Sequence, residues 1–183
     1  MRWDISSSET VRSLGGVVGL LALSLAVGTV AYAREPSGKA RELRLAPIAF
    51  RPANSSASYA VEEGGLGRLC PSKGAGYFVA PLRFADGTVI ERITVSLEDT
   101  SPTSFGMLSL VRRGPQDFEM LAFTPVSTGT RPPSAGTDAI ETLSTDAISA
   151  PAVDNALGSY LLQVVLSGPG VCLHGATVRY RTP

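Results

Sequence analysis

Residues 75–98, AGYFVAPLRFADGTVIERITVSLE, set an apolar run against an alternating one, with a single tight-turn signal between them. Over 88–98, Ile93, Val95 and Leu97 fall on one side of an extended chain and Thr94, Ser96 and Glu98 on the other, because successive strand side chains point to opposite faces. This is the pattern of a strand with one dry face and one wet face. The apolar run over 75–84 reads as a second strand. Asp86-Gly87 tolerates the positive φ of a two-residue turn, so the two strands are expected to pair as a hairpin.

The same punctuation continues in both directions. Downstream, strands are expected near 105–113 and 118–126, joined by Gly114-Pro115 as an antiparallel meander. The stretch 127–137, STGTRPPSAGT, is poor in apolar residues and carries Pro132-Pro133, which predicts an exposed loop whose tip is a candidate contact surface. Weak strand character follows over 140–148, and two clear strands, 160–166 and 171–181, flank the turn SGPG. In the last of these, Cys172, His174, Ala176, Val178 and Tyr180 are expected to share a face. Upstream, 43–50 reads as a first strand, confined by Pro47 to an edge or a bulge. No amphipathic helix is evident after residue 34. Eight or nine short strands with frequent turns predict an all-β fold, an antiparallel β-sandwich or jelly roll.

Lys plus Arg and Asp plus Glu number 16 each, so no global charge favours nucleic acid. Charged residues make up only 17% of the chain beside 19 Gly and 13 Pro, as expected of short strands and turns rather than long polar helices. The two cysteines, Cys70 and Cys172, are too few for a zinc cage and are not a C-x-x-C pair. On an exported domain they form a disulfide, and closing a loop of about 100 residues stabilises by roughly 4–5 kcal/mol in the chain-entropy model. Two buried free thiols are the alternative.

Residues 14–33, LGGVVGLLALSLAVGTVAYA, carry no charge. A helix of that length, rising about 1.5 Å per residue, spans the roughly 30 Å of a bilayer's hydrocarbon core. The expected division is a cytoplasmic leader and helix start at 1–13, a transmembrane signal-anchor at 14–33, a stalk at 34–42 and a periplasmic β-sandwich at 43–183. Ser6 and Glu9 have capping-box spacing, which favours an uncleaved helix, although Ala31-Tyr32-Ala33 also supplies a signal-peptide cleavage site. Gly15, Gly19, Ala22, Ala26, Thr29 and Ala33 recur along one helix face, where small residues let a second membrane helix approach closely. They are also common in any membrane or signal segment. Trp3 and Tyr32 are candidate anchors at the two interfaces. The flanking charges conflict with this orientation, since Arg34, Lys39, Arg41 and Arg44 outnumber Arg2 and Arg12, but that rule weakens when a long domain follows.

Catalytic signatures are missing from the chain. His174 is the single histidine, and there is no G-x-S-x-G, no H-E-x-x-H and no phosphate-binding glycine loop. Asp86 reads as a turn residue and Asp154-Asn155 as turn or capping hydrogen-bonders. A calcium site built from Asp99, Asp154 and Asn155 has oxygen ligands but no calcium-loop spacing.

Four stretches, YFVAPLRFADGTVIERITVSLED (77–99), FGMLSLVRR (105–113), PAVDNALGSYLLQVVL (151–166) and LHGATVRYR (173–181), together resemble a group of exported bacterial β-sandwich, jelly-roll-like domains of uncharacterised function. The resemblance covers about residues 43–181 and departs from the group's pattern at Ala85 and Thr100. It implies the fold and no chemistry.

These readings lead to the expectation of a non-catalytic, single-pass subunit of the inner membrane that stabilises a larger complex, of respiratory or photosynthetic reaction-centre type. Its partners would be other membrane-complex subunits and membrane lipid, without a cofactor and without nucleic acid. The alternative is a secreted sandwich, cleaved before Arg34, that binds carbohydrate or a surface partner through the 127–137 loop.

Overall fold

The structure is a computed structural model that describes residues 38–62, 67–129 and 140–183. These form β1 (Ala40–Leu45), β2 (Arg51–Pro52), β3 (Ser58–Glu62), β4 (Arg68–Lys73), β5 (Gly76–Leu82), β6 (Val89–Asp99), β7 (Gly106–Arg113), β8 (Phe118–Phe123), β9 (Ile140–Thr145), β10 (Ser159–Leu166) and β11 (Val171–Arg181). A six-stranded sheet runs β3-β4-β11-β6-β9, with β1 also paired to β11, and a five-stranded sheet runs β2-β5-β10-β7-β8. Every ladder is antiparallel. The all-β sandwich expected from the alternation is therefore present, with more strands than the eight or nine anticipated. The additional ones are short: β2 has two residues, and β3 and β4 lie in a polar, turn-rich region whose pattern is weak.

Between the sheets lies a dry core. Ile93, Val95 and Leu97 of β6 and Leu173 and Val178 of β11 face Phe78 and Ala80 of β5, Leu108 and Leu110 of β7, and Leu162, Val164 and Leu166 of β10. Each large side chain removed from water in this way stabilises the fold by about 1.5–3 kcal/mol.

Three local expectations are corrected. β5 and β6 do not form a hairpin, because β5 pairs with β10 and β2 while β6 pairs with β11 and β9. The Asp86-Gly87 turn, with Gly87 at φ 76° and Thr88 N–H donating to the Ala85 carbonyl at 3.1 Å, carries the chain from one sheet to the other. A turn sets a reversal, and the depth of the core decides whether the returning strand lies beside or opposite its predecessor. The second correction concerns 43–50. Pro47 ends the strand in a 3-10 turn over Pro47–Ala49, and β1 begins at Ala40, so residues 40–42, read as stalk, pair with β11. The third concerns β11, whose ladder with β6 slips between Leu173 and Gly175. The extra residue sends Cys172 and His174 outward and Ala176 and Val178 into the core, so they do not share a face.

The structure joins Cys70 to Cys172, 102 residues apart. The bridge lies next to the one register pair between β4 and β11, Leu69 opposite Leu173. The expectations for 1–37, including Gly15, Gly19, Ala22, Ala26, Thr29, Ala33, Trp3 and Tyr32, fall outside the described residues. Among the described residues no helix is long and apolar enough to cross a membrane.

Candidate functional site

The two outer faces of the sandwich differ in chemistry. On the six-stranded sheet the outward side chains are largely polar and pair among themselves. Arg179 and Arg181 both meet Glu91, at 3.1 and 2.5 Å, and Arg92 meets Asp146 at 3.5 Å. Arg68 Nη1 donates to Glu98 Oε2 at 2.7 Å, and His174 Nε2 lies 3.1 Å from the same oxygen. Burial by itself would raise the Glu98 pKa, but hydrogen bonds from Arg68 and His174 outweigh it and hold the carboxyl below its ordinary value. His174 is thus engaged in a polar cluster beside the disulfide.

The five-stranded sheet presents apolar side chains on both of its faces. Its registers place the outward residues in rows across the strands: Tyr77, Val165 and Met107; then Val79, Gln163, Ser109 and Phe123; then Pro81, Leu161, Val111 and Met120; then Ser159, Arg113 and Phe118. Most of these line a groove of about 580 Å³, with Arg113, Gln116 and Asp117 at the end nearest the β7–β8 turn. Phe118 is 71% exposed, Met120 46% and Tyr77 42%. From Val165 to Ser159 the surface extends along β10 for roughly 20 Å, at about 3.4 Å per residue. Sequence reading by alternation missed this surface. Its signal was the near-continuous apolar run LLQVVL over 161–166, which marks a strand with apolar side chains on both sides.

The residues singled out from sequence are dispersed. Asp99 closes the far end of β6, where its Oδ1 accepts from Ser101 N–H at 3.0 Å and its Oδ2 from the Ser127 hydroxyl. Asp154 and Asn155 lie at the other end, where Val153 N–H bonds to the Thr88 carbonyl and Asn155 N–H to Asp86 Oδ1 at 2.7 Å. β6 separates them by about 30 Å at the usual strand rise, so the three calcium candidates do not converge. Among the described residues no three His, Cys, Asp or Glu side chains gather to hold a metal. Ser127, the first residue of the expected contact loop, is buried and accepts from Gly106 N–H at 2.7 Å. Residues 130–139 of that loop fall outside the described residues.

No protein-family model and no curated protein matches the chain. Solved structures similar to it include the C-terminal family 6 carbohydrate-binding module of a laminarinase from Zobellia galactanivorans, at 12% identity and a TM-score of 0.48, over 75% of this chain and 98% of that one. A family 6 module from Clostridium cellulolyticum, solved with xylose, is 15% identical with a TM-score of 0.47, over 74% of this chain and 95% of that one. A β-1,3-glucan-binding family 6 module from Bacillus halodurans is 13% identical with a TM-score of 0.45, over 78% and 96%. At these identities the likeness concerns the sandwich alone. These three structures are carbohydrate-binding modules and not subunits of membrane complexes; they give no support to the expectations of an accessory membrane subunit and of membrane-complex partners, which are corrected here.

Proposed function

We propose that the domain is a non-catalytic, exported binding module that recognises carbohydrate on the outer face of its five-stranded sheet. The observation that carries this reading is the contrast between the two outer faces. One satisfies its own charges, while the other leaves an apolar groove with aromatic side chains near its two ends and polar side chains within it. A pyranose ring has the matching character, with an apolar C–H face and a polar rim of hydroxyls. Tyr77 and Phe118 offer ring surfaces for the first, and Gln163, Gln116, Asp117 and Arg113 offer hydrogen bonds for the second. A surface about 20 Å long suits an oligosaccharide better than a single sugar. The Cys70–Cys172 bridge supports an oxidising, extracytoplasmic setting.

Titration calorimetry against cellohexaose, xylohexaose and a β-1,3-gluco-oligosaccharide tests the reading. Binding of at least one is expected, and Y77A and F118A should each weaken it about 2- to 12-fold, from roughly 0.5–1.5 kcal/mol per aromatic contact. A correctly folded domain that binds none of them removes the proposal.

A further inference from the structure

We propose that Ser109 is a specificity-determining residue of this groove, its hydroxyl serving as the hydrogen-bonding contact for a ligand hydroxyl at the groove floor. The inference rests on the carbohydrate reading above and deepens it. Ser109 is only 2% exposed, and its Oγ has no hydrogen-bond partner among the described residues. Its neighbours along β7, Leu108 and Leu110, are in the core, so its own side chain points to the outer face, where it lines the groove. Across the ladders it stands opposite Gln163 of β10 and Phe123 of β8, with Met107 and Val111 two residues away on either side.

A buried hydroxyl without a partner is a net cost to the folded state, and the cost falls away when a polar group arrives to meet it. Deep placement among apolar groups also makes such a contact selective, because a ligand lacking the matching group leaves the hydroxyl unpaired. Met107 and Gln163 are unbranched and turn aside readily, so a ring settling on the apolar rows can uncover the hydroxyl at small cost. A neutral polyhydroxylated ligand is the chemistry that fits, since an anion or cation would meet no opposite charge in the central rows of Val79, Gln163, Ser109, Leu161 and Val111.

The test is Ser109→Ala, read by thermal melting without ligand and by calorimetry with whichever of the three oligosaccharides the wild-type domain binds. The melting temperature is expected to stay the same or rise, while affinity falls at least fivefold. Ser96→Ala, on the six-stranded sheet, is the control and should leave affinity unchanged. A lower melting temperature for S109A would mean that the hydroxyl is satisfied within the fold, and undiminished S109A affinity would mean that the ligand does not use it. Either result overturns the assignment of Ser109 alone. A wild-type domain that binds none of the three overturns it together with the carbohydrate reading.

Discussion

Glu98 shows how one carboxylate couples the stability of the six-stranded sheet to pH. Its pKa is depressed in the folded state by Arg68 and His174 despite the opposing effect of burial, so its contribution is present above the ordinary carboxylate value of about 4.5 and is lost as pH falls through the lowered one. E98Q is expected to be less stable than wild type at neutral pH, with the difference closing in acid. Urea unfolding at a series of pH values checks this. Asp99 supports the opposite kind of prediction, one of connectivity. It is 4% exposed and accepts from the half-buried Ser101 N–H and the buried Ser127 hydroxyl, so D99A leaves the Ser127 hydroxyl without its acceptor at a cost of about 1–3 kcal/mol. A lower urea midpoint with an unchanged slope is the expected signature. In sequence Asp99 reads only as a candidate calcium ligand and Ser127 only as the start of a polar loop. Their pairing across 28 residues depends on how the ends of β6 and β7 are brought together.

At the level of strands, the β3–β4 hairpin is the segment most dependent on a covalent tie. It has its own five-pair ladder, but among the described residues it joins the rest of the six-stranded sheet mainly through one register pair, the Arg68–Glu98 ion pair and the Cys70–Cys172 bridge. Replacing both cysteines by serine is expected to cost about 2–5 kcal/mol. Amide exchange should accelerate first in Ser58–Glu62 and Arg68–Lys73. Uniform acceleration across both sheets would show that packing, not the bridge, holds this hairpin. Strand identity was legible wherever alternation was strong, as in β6, and partner identity was legible only for β7 and β8, whose connection is short and whose ladder is local. The Asp86-Gly87 turn is just as short, yet it joins strands of different sheets. β10 and β11, flanking the SGPG turn, also lie in different sheets, since each found longer-range partners that bury its apolar face.

Across the described sandwich, most ion pairs lie on the six-stranded sheet and the apolar groove on the outer face of the five-stranded one. If the apolar face is a ligand site, occupancy stabilises the native state by mass action. Oligosaccharide at a hundred times its dissociation constant adds about 2.7 kcal/mol, which for a domain of this size raises the melting temperature by roughly 5–11 °C. At the same ligand concentration the shift should shrink in Y77A/F118A, as thermal scans with and without ligand would show. The sequence by itself determined the all-β class, the wet and dry sides of β6 and the presence of a reversal after β5, because these follow from the period-two geometry of a strand and the φ freedom of glycine. Only the tertiary structure decided which strands pair, where β11 bulges and which outer face is left apolar. Those outcomes depend on contacts between residues far apart in the chain, and a one-residue slip, which no local pattern records, reverses the side on which every later residue falls.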